Sequence, residues 1–130
     1  MNFENLSILS VRHVDAPHVV TSAEIQSELS ETMERLGLPP NLLESVAGIH
    51  ERRFWNVQTE PSDAATLAAE LALEDADLDR SRLGVLINTS VCRDYIEPST
   101  ACLVHGNLKL PSACMSMDVG NACLGFLNGI

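Results

Sequence analysis

The sequence predicts an α/β fold built on a largely parallel sheet. Helical and extended segments alternate along the chain in the order βαβαβαβα. Two of the extended segments, Leu83–Asn88 and Met115–Val119, are short and mainly apolar, as strands covered on both faces are. The segment between residues 62 and 76 is Ala- and Leu-rich almost all round, as a helix packed on most sides is.

Taken in order, residues 3–11 (FENLSILSV) mix apolar and polar positions and read as a first strand, and an irregular link with Pro17 joins His13 to His18. Thr21 or Ser22 can cap a helix, with Glu24 at capping-box distance from Thr21. Ile25, Leu29, Met33 and Leu36 then form one apolar stripe, and Gly37 ends it. Pro39-Pro40 starts a short turn or helix through Leu43, and Ile49–Trp55 reads as extended, with Arg52 and Arg53 exposed. Ser62 or Asp63 caps the Ala/Leu-rich helix, whose polar stripe is Thr66, Glu70 and Glu74. A charged link over residues 75–82 leads into the strand at 83–88. Pro98 fits the first turn of a helix running to about Leu110. After the strand at 115–119, NACLGFLNGI opens a helix whose Leu124, Phe126, Leu127 and Ile130 carry no polar cap, so the 130 residues read as the first part of something longer.

Composition narrows the function. Eight Lys and Arg against 18 Asp and Glu give a net charge of −10, and each half holds four basic and nine acidic residues. A nucleic acid or an anionic membrane is therefore not the expected partner. No apolar run approaches a membrane span and no signal peptide is evident, so a cytoplasmic location is expected. Cys92, Cys102, Cys114 and Cys123 lack the closely spaced pairs of a zinc site, and neither a metal nor disulfides are expected. Cys92, Cys102 and Cys114 read as small buried hydrophobes. Trp55 and Tyr95 stand too isolated for a stacking site.

Cys123 is different. In Asp118–Phe126 (DVGNACLGF) a strand enters a tight turn of small residues, and the cysteine stands where the next helix begins. Backbone N–H groups and the helix dipole there favour a thiolate and can hold an oxyanion, while Gly120, Ala122 and Gly125 allow close approach. A nucleophile and a core cysteine at a strand–helix junction both fit this pattern. Glu97 likewise fits two roles, a functional carboxylate and a complement to the dipole of the following helix.

These segments carry a resemblance. DVGNACLGFLNG is similar to the active-cysteine segment of the thiolase superfamily, in its β-ketoacyl-ACP synthase III branch. AGIHERR resembles the G-I-x-x-R-R segment of that branch, PSDAAT its following helix start, and GVLINTSVCRDYIEPSTACLVHGNL its strand–loop–helix ahead of the cysteine. HVDAPH, GIHERRFW and NTSVCRDYIEPST look most like the OleA-type enzymes, which condense two long-chain acyl-CoA molecules head to head.

The resemblance implies a thiolase-like fold, with residues 1–130 as the N-terminal half of a two-half α-β-α-β-α architecture. It implies that Cys123 is the acylated nucleophile and that Glu97 is the base for the α-proton, acting across a homodimer. A plain acyl-CoA must lose a proton where a malonyl donor loses CO2. Arg52 and Arg53 become candidates for contact with the phosphates of CoA, with acyl-CoA or acyl-ACP thioesters as substrates and no cofactor. The catalytic His and Asn of the family would lie in a C-terminal half. His13, His18, His50 and His105 match none of its motifs. A decarboxylating synthase III of fatty-acid or polyketide initiation is the alternative activity, and Glu97 argues against it. A fragment or subunit inert without its C-terminal partner is the alternative of another class.

Overall fold

The computed structural model describes residues 4–130, in two compact units, 15–58 and 59–130 together with the N-terminal residues up to 14. In the smaller unit, β1 (His18–Thr21) pairs antiparallel with β2 (Glu51–Phe54), Val20 opposite Arg52. Between them lie α1 (Ser22–Glu28), α2 (Ser30–Arg35) and α3 (Leu42–Ala47). Thr21 caps α1 as expected: its hydroxyl accepts from Glu24 N at 3.1 Å, and Glu24 accepts from Thr21 N at 2.7 Å. The expected single helix breaks at Leu29, whose ψ of 4° leaves the helical range and separates α1 from α2. Gly37 stops α2 at φ +64°, a left-handed conformation that favours glycine. The Pro39-Pro40 turn delays α3 to Leu42, later than the sequence suggests. Ser22, fully buried, ties the unit together, accepting from Arg52 Nη1 at 2.8 Å and donating to the Ile49 carbonyl.

The larger unit holds α4 (Pro61–Asp75), β3 (Val85–Asn88), α5 (Thr100–Asn107), β4 (Met115–Asp118) and the short α6 (Gly125–Gly129). β3 and β4 pair in parallel, Val85 opposite Met115 and Asn88 opposite Asp118. The core is Val104, Leu108, Leu110 and Cys114, against which Ala65, Ala69, Leu83 and Leu86 pack. Apolar side chains of α4, α5 and β3 thus leave water together, each worth about 1.5–3 kcal/mol when fully buried.

Several expectations need correction. The single mostly parallel sheet is instead two two-stranded sheets, one of them antiparallel. No strand forms over residues 4–11, Phe3 lying outside the described residues. A strand needs an edge to pair with, and this segment instead lies along the end of α4. Ser10 Oγ donates to Asp75 at 2.7 Å, Arg12 forms an ion pair with the same carboxylate, and Ile8 and Leu9 line a shallow cavity with Ala72 and Leu78. Among the described residues β3 and β4 are covered on one face. Leu86 faces α5, whereas Val85, Ile87, Met115 and Met117 form an open apolar row on the other side. Nor is α4 buried all round, because its Leu67 and Leu71, one turn apart, face away from α5. Its cap is Glu60, with Pro61 in the first turn and Asp63 accepting from Glu60 N at 3.1 Å, rather than Ser62 or Asp63. Among the cysteines Cys114 is buried as expected, whereas Cys92 and Cys102 are exposed within these 130 residues.

Candidate active site

The carboxyl end of β3 and β4 gathers the chemistry. In open α/β sheets that is the end where backbone turns leave room for a ligand. From β3 the chain passes through Thr89 and Arg93 to the loop bearing Glu97, then into α5. From β4 it passes through Val119–Asn121 into a turn of 3₁₀ helix over Ala122–Leu124, with Cys123 at its centre, and then into α6. Cys123 and Glu97 therefore stand on the segments that leave two adjacent, paired, parallel strands. The two segments also adjoin: a Cβ added to Gly120 would lie 3.7 Å from the Arg93 guanidinium.

Cys123 is exposed. The residue before it, Ala122, has φ +42°, a left-handed conformation costly for any residue with a Cβ. Such a sharp strand-to-helix turn lifts a nucleophile clear of the sheet. Asn121 braces the turn by donating from Nδ2 to Asn128 Oδ1, and Leu124 N donates to Asn121 O at 2.9 Å. Of the three small residues expected to allow close approach, Gly125 has the tightest contact. A Cβ there would meet the Thr89 carbonyl oxygen at 2.6 Å, and one on Gly129 a turn later would meet Thr89 Cγ2 at 2.6 Å. The start of α6 is thus seated directly on the residue that follows β3.

Glu97 is exposed, beside Tyr95 (56% exposed) and Ile96 (88%) at the tip of its loop. The helix-dipole role is already filled by other groups. Ser99, not Pro98, caps α5, with Ser99 Oγ accepting from Cys102 N at 3.2 Å. Asp118 accepts from Thr100 N at 3.1 Å and Ala101 N at 2.8 Å. Leu103 N reaches the Ser99 carbonyl at 3.3 Å. The first amides of α5 are therefore satisfied without Glu97, and Pro98 lies before the cap rather than in the first turn.

Two carboxylates that sequence reasoning missed hold this end together. Asp118, besides its two α5 amides, accepts from Asn88 Nδ2 at 3.1 Å, locking β3, β4 and α5 at one point. Asp94 accepts from Ser62 N of α4 at 3.0 Å and from the Thr100 hydroxyl at 2.8 Å. Desolvation raises the Asp94 pKa, but the hydrogen bonds from Ser62 and Thr100 outweigh it and hold the carboxyl below its ordinary value. Nothing local flags either residue, because their partners lie 17 to 32 positions away, apart from Thr100 for Asp94.

The remaining candidates are engaged elsewhere within their own units. Arg52 and Arg53 belong to the smaller unit, where strand alternation sends them to opposite faces. Arg52 is half-buried on Ser22 rather than exposed, and Arg53 donates to the Ala16 carbonyl at 3.3 Å. His105 Nε2 lies 3.1 Å from the Cys114 carbonyl, a packed position. Other surface depressions, along Glu70–Arg80 and between α1 and α2 around Met33, touch neither Cys123 nor Glu97.

No family model matches the chain. An acyl-CoA:acyl-CoA alkyltransferase of Xanthomonas campestris pv. campestris is 53% identical over all 130 residues, which span 38% of that relative. An enzyme of the same description from Shewanella oneidensis is 37% identical over all 130 residues, 37% of its length. Among solved structures, cerulenin-bound OleA of Xanthomonas campestris superposes with a TM-score of 0.92 at 54% identity, over 98% of this chain and 37% of that one. The backbone described above is therefore part of a thiolase-like fold.

Proposed function

We propose that this chain, which belongs with the OleA-type condensing enzymes of the thiolase superfamily by homology along its whole length, carries the nucleophile and the base of a non-decarboxylative Claisen condensation of two long-chain acyl-CoAs. The chain spans about 38% of the curated relative, so the activity belongs to the full-length protein. The observation that supports the reading best is the turn that presents Cys123 on the segment leaving β4, with Glu97 carried outward on the segment leaving β3 to serve the neighbouring subunit. One segment carries a strained turn that lifts a thiol, and the other an exposed carboxylate not needed for capping.

The reaction proceeds in two stages. The Cys123 thiolate attacks the carbonyl of the first acyl-CoA. The carbonyl–sulfur bond to CoA breaks, CoA leaves as a thiolate that takes up a proton, and the acyl group stays on Cys123. The Glu97 carboxylate then takes an α-proton from the second acyl-CoA. The resulting enolate carbon attacks the acyl-Cys123 carbonyl, a C–C bond forms, and the C–S bond breaks. The Cys123 thiolate and a β-ketoacyl-CoA are the products, and Glu97 returns its proton to water. No electrons are exchanged with an outside partner, so no cofactor is needed.

The same reading places the enzyme in the cytoplasm, as a homodimer in which Glu97 serves the neighbouring subunit, with a C-terminal half supplying His and Asn. Its product would feed long-chain olefin synthesis. Arg52 and Arg53 are proposed as contacts for the CoA phosphates through charge-assisted hydrogen bonds. Among the described residues no helix is long and apolar enough to cross a membrane.

The test is the full-length protein given a single long-chain acyl-CoA, with product read by mass. A β-keto product of two acyl chains is expected, and Glu97→Ala should still acylate Cys123 but form no product. A requirement for a malonyl thioester, or condensation undiminished in Glu97→Ala, would overturn the proposal.

A further inference from the structure

We propose that Asp94 is the positioning residue for Glu97, holding the Glu97 loop as a clasp closed by Thr100; the inference rests on the reading of Glu97 as the α-proton base. The loop runs from Asp94 to Thr100, and these two residues close it. Asp94 Oδ2 accepts from Thr100 Oγ1 at 2.8 Å, and Asp94 N donates to the same hydroxyl oxygen at 3.4 Å. The other carboxylate oxygen accepts from Ser62 N at 3.0 Å, tying the clasp to the first turn of α4. Thr100 N donates to Asp118 at 3.1 Å, tying it to the end of β4, from which the Cys123 turn departs.

The two anchors of the clasp are buried. Thr100 is 1% and Ser62 5% exposed, whereas Tyr95, Ile96 and Glu97 are all exposed. Asp94 therefore fixes where the Tyr95–Pro98 stretch begins and ends. One carboxylate bridges both ends of the loop and the start of a fifteen-residue helix. A base must lie within hydrogen-bond reach of the proton it removes, and misplacement by an ångström costs about 100-fold in rate. Loss of the clasp should thus reach the deprotonation step while leaving the Cys123 turn, braced separately by Asn121 and Thr89, in place.

The experiment uses the full-length protein and myristoyl-CoA, with acylation of Cys123 and condensation measured separately in Asp94→Ala, Asp94→Asn, Thr100→Val and Glu97→Ala. Asp94→Ala should acylate within about twofold of wild type and condense about 10–100-fold more slowly. Asp94→Asn should recover most of that loss, since its amide can accept from Ser62 N and donate to the Thr100 hydroxyl. Thr100→Val removes the other half of the clasp and should match Asp94→Ala, which keeps the test sound if either variant folds poorly. Equal loss of acylation and condensation in the clasp variants, or no rescue by asparagine, would reduce Asp94 to a structural residue and overturn the proposal. So would wild-type condensation in Asp94→Ala beside a dead Glu97→Ala, a result that leaves the role of Glu97 intact. Wild-type condensation in Glu97→Ala would instead overturn the Glu97 reading, and the positioning role would fall with it.

Discussion

Replacing Gly125 by alanine should damage both stability and acylation, through one contact. A Cβ at Gly125 would stand 2.6 Å from the Thr89 carbonyl oxygen, where real Cβ atoms essentially never come within 3.0 Å. The obstacle is backbone just past the end of β3, so it cannot swing aside as a flexible side chain would. The start of α6 must retreat by at least about 0.4 Å, the difference between those two distances. Overpacking of this kind costs about 1–3 kcal/mol, and alanine regains up to about 1 kcal/mol of helix propensity. A net loss of up to about 3 kcal/mol remains, a fall of up to a few degrees in Tm. Because Cys123 lies two residues before Gly125, the retreat should also slow its acylation, by about 3–10-fold or more. The assay is a thermal melt together with single-turnover acylation by a long-chain acyl-CoA. Gly106→Ala in α5 is the control: no atom lies within 4 Å of its added Cβ, so the same substitution should raise Tm slightly and leave acylation unchanged. Gly125→Ala melting no lower than wild type and acylating at the wild-type rate would refute the reasoning.

Other outcomes follow from the same contacts. Asp118→Ala should destabilise by about 1–3 kcal/mol in a denaturant titration, because it strips two amides at the start of α5 and the Asn88 amide of their acceptor. The Asp94 carboxyl is held below its ordinary value of 3.8, so the charged form is the one the fold favours. Its contribution is then fully present above that value and is lost as pH falls through the lower folded value. The Tm advantage of wild type over Asp94→Asn should accordingly be constant from neutral pH down to about 5 and shrink below about 4; an advantage that grows on acidification would contradict the assignment.

What the sequence made legible was local. The Thr21–Glu24 capping box, the stop at Gly37 and the Cys123 turn each depend on residues within a few positions, and each appears in the structure. The two strands β3 and β4 were readable for the same reason, as short apolar runs between turns. The pairing of strands was not. β1 meets β2 across three helices, and no pattern in HVVT points to ERRF. The alternation in residues 3–11 resembles a strand, but alternation supplies side-chain placement and not a partner edge. The burial of LGVLIN on both faces was likewise inferred from its composition; among the described residues Leu83 and Leu86 pack on the core of α5 on one face. At the site, Cys123 and Glu97 were visible through their motifs. Asp94 and Asp118 were not, because a carboxylate that caps a helix from another strand leaves no local trace. Pro98 misled in the opposite direction, since it sits just before the Ser99 cap.

The central claim, that Cys123 is the acyl-carrying nucleophile, is open to one direct measurement. The full-length protein is incubated with a long-chain acyl-CoA, digested, and its cysteine peptides are weighed. A single added acyl mass on the peptide that contains Cys123, with Cys92, Cys102 and Cys114 unmodified, is the expected result. An acyl mass on any of those three, or none on Cys123, would contradict it.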